Sequence, residues 1–311
     1  MGLQIRDFTS MDLSVLVSLL NEARRASFEF VPLTNEEVNN RIQEGKSRIL
    51  IAERDGETVG TITYHDGYWG EEIRWLAVRG QADRKIIEDT LVKEAEALVQ
   101  KNSIFASVEA GSPKTDEWIQ RGYASNGGLY QMVARLDSLR PLPTVPADFH
   151  VRNMKHGEEK EVVAAINAVF GWERLKLDFV EKGKVDSPPF DEEWVQVAYF
   201  GDKVASVVVA WPAVKFNAYF GARRGYLGPA ATVLEYRSKK LASVLTIRAM
   251  NLLFEKGFDQ VVLHTSELNA PSATLLKNVG FEIGNHIKFM RKTLLRKEQV
   301  VRNKIDEKPE N

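Results

Sequence analysis

The sequence predicts a mixed α/β fold that is present twice along the chain. Three observations predict it. Segments typical of strands and helices alternate, short segments recur in the same order in both halves, and a proline-rich stretch separates the halves. Because alternating strands and helices are typical of α/β and α+β sheet domains, we expect two tandem copies of one sheet domain in 311 residues. A length of about 150 residues per domain agrees with this expectation.

The recurring segments follow one order in both halves. The opening Leu3–Arg6, followed by a helix-like run, recurs 146 residues later as Phe149–Arg152. The strand–turn–strand pattern around Asp55-Gly56 recurs around Gly201-Asp202. A second group recurs at an offset of 158: Arg79, Glu109, Pro113, Gly122 and Tyr123 correspond to Arg237, Glu267, Pro271, Gly280 and Phe281. The larger offset predicts about 13 extra residues in the second copy, between Val204 and Arg237.

A proline-rich segment marks the boundary between the copies. Pro141, Pro143 and Pro146 favour an extended connector and exclude a helix through it. We therefore expect a first domain at 1–139, a linker at 140–147 and a second domain at 148–295. The mostly charged segment 296–311 is expected to be a frayed tail after a short helix.

The composition excludes several classes of function. The chain has no cysteine, so it has no disulfide framework, no thiolate metal site and no cysteine nucleophile. The 42 basic and 43 acidic residues give a net charge of −1, which disfavours nucleic acid and anionic membranes as main partners. No apolar run approaches the roughly 20 residues of a membrane span, and no signal-peptide pattern opens the chain. We expect a cytoplasmic protein whose oligomeric state the sequence leaves open.

Each copy is expected to contain a strand, two helices, two or three strands, and then a helix, a strand, a helix and a strand. Possible capping boxes at Thr9–Asp12 and Thr34–Glu37 mark helix starts. In the second copy, the apolar repeat over Leu241–Leu253 predicts a long helix that ends near Gly257. The segment Val261–Leu263 predicts a buried strand after it.

The segment Thr232–Ser243 predicts an anion-binding turn. A strand that turns into a helix exposes unpaired backbone N–H groups and the positive end of the helix dipole. A diphosphate can accept hydrogen bonds from those groups, and Arg237, Lys239 and Lys240 add positive charge. The alternative interpretation is a solvated basic turn that binds nothing.

A second segment, Asn269–Phe281, follows some thirty residues later. Asn269 predicts a helix cap, Pro271 fits the first turn, and Gly280 predicts the helix end before a final strand. Together the two segments resemble the acyl-CoA-binding motifs of the GNAT superfamily of N-acetyltransferases. The first family motif reads Arg or Gln, x, x, Gly, x, Gly or Ala, and the second runs from Asn to Gly-Phe. The Ile5-Arg6 and Val151-Arg152 openings resemble the first strand of this family, and the duplicated layout is similar to tandem GNAT proteins such as the mycothiol synthases.

The resemblance implies a fold of two tandem acyl-CoA N-acyltransferase domains, with acetyl-CoA as co-substrate. It implies that Arg237, Ser238, Lys239, Lys240, Leu241, Ala242 and Ser243 wrap the pyrophosphate, and that Thr232 and Val233 pair with the pantetheine arm as strand residues. Asn269 and Ser272 would contact the pantetheine or adenosine. The implied reaction is attack by a primary amine on the thioester carbonyl, with protonation of the leaving thiolate.

The second copy also departs from the family pattern. Lys240 stands where the family has its first loop glycine, which costs on the order of 1–2 kcal/mol if that position needs a positive φ. Leu234 replaces the usual proline. Leu276 replaces the tyrosine that often serves as general acid, and the strand between Ala222 and Val233 offers no carboxylate base.

The first copy departs further. Its corresponding segment, Val78–Ile86, aligns through Arg79 or through Arg84, and neither alignment places small residues where phosphate would approach the backbone. Asp83 adds a negative charge, and Trp118 occupies the tyrosine position. We expect a degenerate copy without bound CoA.

Three residues are the candidates for proton transfer in the second copy: Glu267, His264 and Tyr226. Each also fits a packing or hydrogen-bonding role, as do Tyr219 and Tyr236. The aromatic segment Trp211–Phe220 fits either a substrate groove or a packed loop. The other histidines (His65, His150, His156 and His286) form no paired metal-ligand spacing, so no metal is expected.

The resemblance therefore implies an acetyl-CoA-dependent N-acetyltransferase acting on a primary amine of a small molecule or peptide. The alternative is a non-catalytic acyl-CoA-binding or protein-interaction module, which Leu276 and the degenerate first copy favour. RNA or acidic-peptide binding through Arg223-Arg224 and Lys239-Lys240 is disfavoured by the balanced charge.

Overall fold

The computed structural model describes residues 2–67, 69–80 and 82–294. The expected mixed α/β fold is confirmed, and the predicted tail at 296–311 lies outside the described residues. The chain divides into two compact units. Unit 1 holds residues up to 128 together with 287–294, and unit 2 holds residues 129–286.

Unit 1 is a mixed sheet with four helices. Its strand order is β1-β2-β3-β4-β5-β12, and all neighbours are antiparallel except the parallel pair β4–β5. Its elements are β1 (Gln4–Asp7), α1 (Leu13–Arg24), α2 (Asn35–Gln43), β2 (Ser47–Arg54), β3 (Glu57–Gly67), β4 (Gly70–Val78), α3 (Arg84–Ala97), β5 (Ser103–Glu109), α4 (Lys114–Gln120) and the later part of β12 (Glu282–Thr293).

Unit 2 repeats this plan. Its strand order is β6-β11-β10-β9-β8-β7, again antiparallel except for one parallel pair, β10–β11. Its elements are the later part of β6 (Ala124–Arg135), β7 (Phe149–Asn153), α5 (Glu159–Phe170), α6 (Phe179–Asp186), β8 (Val195–Phe200), β9 (Lys203–Pro212), α7 (Val214–Phe220), β10 (Arg224–Thr232), α8 (Leu241–Glu255), β11 (Gln260–Ser266) and α9 (Ala270–Asn278).

The last strand of each copy belongs to the sheet of the other unit. Residues 129–135 of β6 pair antiparallel with β11, and residues 287–293 of β12 pair antiparallel with β5. This differs from the expected division into consecutive domains at 1–139 and 148–295. The physical reason is that a strand's own sequence specifies its buried face but not its neighbour. The expected linker at 140–147 lies within residues 136–148, which contain no helix or strand.

Several local predictions are confirmed. Asp55 and Gly56 form the β2–β3 turn with positive φ angles of 53° and 82°, as a tight hairpin requires. Thr34 and Glu37 form the capping box of α2. Gly257, with a φ of 86°, follows the end of α8.

The extra length of the second copy contains a helix. Residues 214–220 form α7 between β9 and β10, where the first copy has only a short connection between β3 and β4. The segment Trp211–Phe220 is therefore mostly helical and not a loop, and its part in a substrate groove stays a prediction.

Helices cover the sheet of unit 2. α8 buries Val244, Leu245 and Leu253 against β8, β9 and β10. α5 packs on β9 and β10 and buries Val162 and Ile166. Burial of each such side chain contributes about 1.5–3 kcal/mol, so the central strands are held in place along their length.

Candidate functional site

The two parallel strands of unit 2 separate part-way along their length. β10 pairs with β11 only from Arg224↔Gln260 to Tyr226↔Val262, although β10 continues to Thr232 and β11 to Ser266. We call the end of this pairing, at Tyr226 and Val262, the vertex of unit 2. Beyond the vertex, the facing backbone edges of β10 and β11 are not paired with each other, so a chain-like ligand can add to them as an extra strand would.

A β-bulge lies in β10 directly after the vertex. Gly228 and Pro229 together oppose the single residue Val209 of β9, and such bulges redirect the backbone next to functional sites. Trp211 Nε1 donates to the Gly228 carbonyl at 2.6 Å. Glycine is required here because its φ is +144° and because a Cβ would lie 3.3 Å from the Tyr226 ring.

The segment between β10 and α8 is an exposed loop. Ser238 and Lys240 both have φ angles of +63°, and α8 begins directly after Lys240. The position of Lys240 therefore does need a positive φ, as the family motif's glycine suggested. The first backbone hydrogen bond of α8 joins Val244 N–H to the Lys240 carbonyl at 3.1 Å.

The N–H groups at this helix start are available to a ligand. Within the described residues, no acceptor bonds the backbone N–H groups of residues 238–243. Residues 237–240 are exposed. Free N–H groups at a helix N-terminus with left-handed residues before it are the arrangement that binds phosphate groups.

The cations of this loop point to the same ligand chemistry. Arg237 Nε donates to the Thr232 carbonyl at 3.3 Å, and its side chain remains exposed. No carboxylate in the described part of the chain forms an ion pair with Arg237, Lys239 or Lys240. Their positive charge is therefore not neutralised by any carboxylate of the described residues.

The remaining predicted binding residues have diverse surroundings. Thr232 ends β10, and its hydroxyl lies 2.8 Å from Ser206 Oγ. Val233 lies beyond the strand and caps the short 3₁₀ turn Leu234–Tyr236, which corrects its expected place within the strand. Leu241 is buried, while Ala242 and Ser243 are half-buried on the first turn of α8.

Asn269 and Ser272 lie at the start of α9. Asn269 Oδ1 accepts from the Ser272 N–H at 3.2 Å and caps the helix as predicted. Ser272 Oγ accepts from Thr265 Oγ1 at 3.1 Å. Gly280, with a φ of +93°, follows α9, and a Cβ there would overlap the Arg140 guanidinium, which donates to the Val279 carbonyl at 2.5 Å.

Tyr226 and His264 come together at the vertex. Their ring centroids lie 6.0 Å apart, because Val262, the β11 partner of Tyr226, is two residues before His264 on the same face of the strand. Burial raises the pKa of the Tyr226 phenol, and the positive charge of Arg174 opposes this rise. The phenol therefore keeps its proton at neutral pH, as a general acid must.

Glu267 lies apart from this pair, beyond the end of β11. Its Oε2 is 2.6 Å from His286 Nε2, and both side chains are partly exposed. The His286 ring packs on Tyr130 with centroids 4.7 Å apart. This partner of Glu267 was not predictable from the sequence, because no spacing between residues 267 and 286 marks a carboxylate–histidine contact.

The other residues that the sequence singled out lie in the core or away from the vertex. Leu276 is buried in the core cluster of unit 2. Tyr219 is exposed on α7 and packs on Phe220, and Tyr236 packs on Phe149 and Phe200.

Unit 1 has the same strand separation but different residues. β4 pairs with β5 only from Glu71↔Ile104 to Ile73↔Ala106. On the strand face that corresponds to Tyr226 and His264, Glu72 accepts a hydrogen bond from Ser107 Oγ at 3.0 Å. The buried Glu72 also pairs with Arg74.

The loop of unit 1 is shorter and carries fewer basic residues. It runs over residues 79–83, and α3 follows Asp83, whose φ of +57° matches that of Lys240. The Asp83 carboxylate pairs with Arg54 at 3.2 Å. Trp118 is buried against Tyr123.

One cluster of possible metal ligands occurs in the described residues. The ligand atoms of His156, Glu159 and Glu192 all lie within 4.8 Å of one another. Lys184 Nζ, however, donates to Glu192 at 2.9 Å, so an ammonium group already occupies part of this cluster.

Comparison with known proteins identifies the fold. The chain is 27% identical over 161 residues to a mycothiol acetyltransferase of Thermobispora bispora, covering 49% of this chain and 53% of that protein. A mycothiol acetyltransferase of Saccharomonospora viridis is 25% identical over 150 residues. The chain spans about half the length of the curated relatives it matches. No protein-family model matches the sequence.

Solved structures match over nearly the whole chain. A GCN5-related N-acetyltransferase from Sphaerobacter thermophilus superposes with a TM-score of 0.65 at 16% identity, covering 94% of this chain and 95% of that one. A tandem GNAT protein from the clavulanic acid biosynthesis pathway gives 0.64 at 13% identity, covering 94% and 98%. The chain has the tandem GNAT fold. This confirms the resemblance that the motifs indicated. The vertex and the loop before α8 both belong to unit 2, the second GNAT-like unit.

Among the described helices, none has the length and apolar character that crossing a bilayer requires.

Proposed function

We propose that the protein is an acetyl-CoA-dependent N-acetyltransferase in which unit 2 binds acetyl-CoA and a primary amine. The observation that carries the proposal is the exposed loop at residues 237–240 before α8, where the described residues leave the N–H groups of 238–243 free and the cations without a carboxylate partner. A diphosphate would accept hydrogen bonds from these N–H groups and would neutralise Arg237, Lys239 and Lys240.

The separation of β10 and β11 supports the position of the thioester. A pantetheine arm carries amide groups, and the unpaired edge of β10 between the bulge and Thr232 offers backbone partners for them. With the diphosphate at the loop, the arm leads towards the vertex, where Tyr226 and His264 lie. Asn269 and Ser272 would flank the ligand from the start of α9.

The reaction is a direct transfer of the acetyl group. The amine nitrogen attacks the thioester carbonyl carbon, the new C–N bond forms, and the C–S bond breaks. His264 takes the proton that the amine nitrogen loses, and the Tyr226 hydroxyl gives a proton to the leaving sulfur. Glu267 holds His286 through their hydrogen bond and provides a second, more distant proton acceptor.

One observation favours the alternative of a non-catalytic acyl-CoA-binding module. Leu276, in the family's tyrosine position, is buried and has no proton to donate. The two functions therefore differ in whether bound acetyl-CoA releases free CoA when amines are added.

Acetyl-CoA binding and CoA release test the two functions together. We expect Arg237→Glu with Lys240→Glu to weaken acetyl-CoA binding at least about 100-fold, because two charge-assisted contacts are each worth about 1.5–3 kcal/mol. Binding is measured by calorimetry, and a thiol-reactive dye follows CoA release without background, since the chain has no cysteine.

The control for this experiment is Arg79→Glu, which changes an exposed arginine of unit 1. It should leave acetyl-CoA binding unchanged. Equal binding by the double variant and the unaltered protein would refute the location of the site, and binding without CoA release across a broad amine panel would support the non-catalytic module.

A further inference from the structure

The segment that follows α5 in unit 2 presents an arginine between aromatic rings. The Arg174 guanidinium carbon lies 5.8 Å from the Phe170 ring centroid and 5.6 Å from that of Trp172. Asn167 holds the segment: its Oδ1 accepts from the Arg174 N–H at 2.7 Å, and its Nδ2 donates to the Leu175 carbonyl at 2.9 Å. The backbone position of Arg174 is therefore set by hydrogen bonds from α5.

The charge of Arg174 is not neutralised within the described chain. No carboxylate of the described residues forms an ion pair with it, including its neighbour Glu173, and its side chain is exposed. An arginine held between aromatic rings gains cation–π attraction but keeps its planar set of donors for a ligand.

Arg174 lies on the side of the sheet where the vertex carries Tyr226 and His264. α5 and α8 both pack on β9 and β10. A Cβ on Gly225 would meet Leu253 of α8, so the next residue, Tyr226, faces the side of the sheet that α5 covers. The charge of Arg174 acts on the Tyr226 phenol, where it opposes the effect of burial on that pKa. Neither vertex residue is acidic, so this side presents a guanidinium, a phenol and an imidazole, with no carboxylate among them.

We propose that Arg174 binds a carboxylate group of the acceptor, so that the substrate is an amine that also carries a carboxylate, such as an amino acid or a peptide end. This inference rests on the proposed function. A guanidinium and a carboxylate form two parallel charge-assisted hydrogen bonds, which would orient the amine relative to the vertex. Polyamines and uncharged amino sugars lack the group that satisfies Arg174, and polyamines add positive charge beside it.

Matched pairs of substrates test this inference. A panel of amino acids is compared with the corresponding amino acid amides, which have the same amine and side chain but no carboxylate. We expect kcat/KM, measured by CoA release, to be at least about 10-fold higher for the carboxylates. Arg174→Gln should bring the carboxylate-to-amide ratio close to one, mainly by raising KM, and Arg174→Lys should retain part of the preference.

The control variant is Arg223→Gln, which removes the same charge from an exposed site of unit 2 that pairs with Asp259. It should keep the full preference for carboxylates. Equal use of carboxylates and amides by the unaltered protein would overturn the inference, as would equal effects of Arg174→Gln and Arg223→Gln.

A binding measurement separates this inference from the proposed function. N-acetyl amino acids and N-acetyl amino acid amides are titrated by calorimetry, which needs no turnover. Selective binding of the carboxylates, lost in Arg174→Gln, supports the role of Arg174 even if no CoA is released, whereas absent CoA release with bound acetyl-CoA counts against the transferase alone. Equal binding of both sets overturns the role of Arg174.

Discussion

Units 1 and 2 share one scaffold but differ where a ligand would bind. In unit 1, Arg6 forms a bidentate pair with Asp12, and in unit 2 Arg152 forms the same pair with Glu158, 146 residues later. Glu53 accepts a hydrogen bond from Arg6 in unit 1. Tyr199, which lies 146 residues after Glu53, donates one to Glu158 in unit 2. The polar frame around the first strand has therefore been retained in both copies.

The loops before α3 and α8 have diverged within this shared frame. Both helices follow a residue in the left-handed conformation, Asp83 in unit 1 and Lys240 in unit 2. In unit 1, Asp83 forms an ion pair with Arg54. On the α3 helix that follows, the buried Glu88 accepts hydrogen bonds from Arg84 and Arg121. The two helix starts therefore share a backbone geometry but differ in the charges around it, and these charges influence which ligand is attracted.

The largest expected effect is a loss of kcat when the vertex of unit 2 is altered but not when the corresponding strand position of unit 1 is altered. His264→Ala should lower kcat by about 100-fold or more, because general acid–base catalysis contributes on the order of 10²–10⁴. Tyr226→Phe should have a similar effect, with acetyl-CoA affinity retained in both variants. Steady-state CoA release and calorimetry measure the two quantities.

The matched control in unit 1 is Ser107→Ala, since Ser107 occupies the strand position that corresponds to His264. We expect its kcat to be unchanged. A comparable loss of kcat in Ser107→Ala would show that unit 1 takes part in the reaction and that the difference between the vertices is misassigned.

A smaller effect concerns the ion pairs that the units share. The hydrogen bond from Arg152 is the main cause that lowers the pKa of Glu158 to about 2. A carboxylate whose pKa is lower in the folded than in the unfolded state stabilises the fold above the unfolded pKa, and this contribution is lost as the pH falls from about 4.5 towards 2. Glu158→Gln should therefore lower the free energy of unfolding by about 1–2 kcal/mol at pH 7 and by progressively less below pH 4.5.

Asp12→Asn provides the comparison in unit 1. We expect a loss at pH 7 that is at least as large, because the buried Asp12 carboxylate accepts hydrogen bonds from Arg6 and from the Thr9 N–H and hydroxyl, which also lower its pKa. Denaturant titrations between pH 3 and 7 measure both variants. A Glu158→Gln deficit that stays constant across this range would contradict the assigned pKa.

The smallest effect concerns the glycines that follow α4 and α9. Gly122 and Gly280 both have positive φ angles, of 84° and 93°, so alanine costs about 1–2 kcal/mol at either site. At Gly280 the new Cβ also displaces the Arg140 guanidinium from the Val279 carbonyl, whereas at Gly122 it meets Lys292 Cε at an ordinary 3.6 Å. Gly280→Ala should therefore be about 1 kcal/mol more destabilising than Gly122→Ala, and equal unfolding midpoints would contradict the importance of the Arg140 contact.

Features set by neighbouring residues were predictable from the sequence. The turn at Asp55-Gly56, the cap at Asn269 and the loop before Leu241 all rest on local conformational preferences. The duplicated fold followed from the order of such features, and the two GNAT-like motifs indicated which known fold it resembles.

Features that depend on distant pairing were not predictable. The bulge at Gly228-Pro229 depends on the register with β9, and the Glu267–His286 pair depends on where β12 begins. The role of Arg174 depends on how α5 crosses the sheet. None of these leaves a pattern within a short window of sequence.

The exchanged last strands have a consequence for the history of the chain. β11 pairs with β10 only over Gln260–Val262 but with β6 over Gln260–Ser266, so the strand that secures β11 is encoded in the first half of the gene. In the same way, β12 supplies β5 with its full-length neighbour. If the gene were divided at the linker, each of the two products would lack the strand that pairs with its β5 or β11. The backbone N–H and C=O groups along that strand edge would then be unpaired. Each copy therefore depends on the other for a complete sheet, whatever chemistry either copy carries.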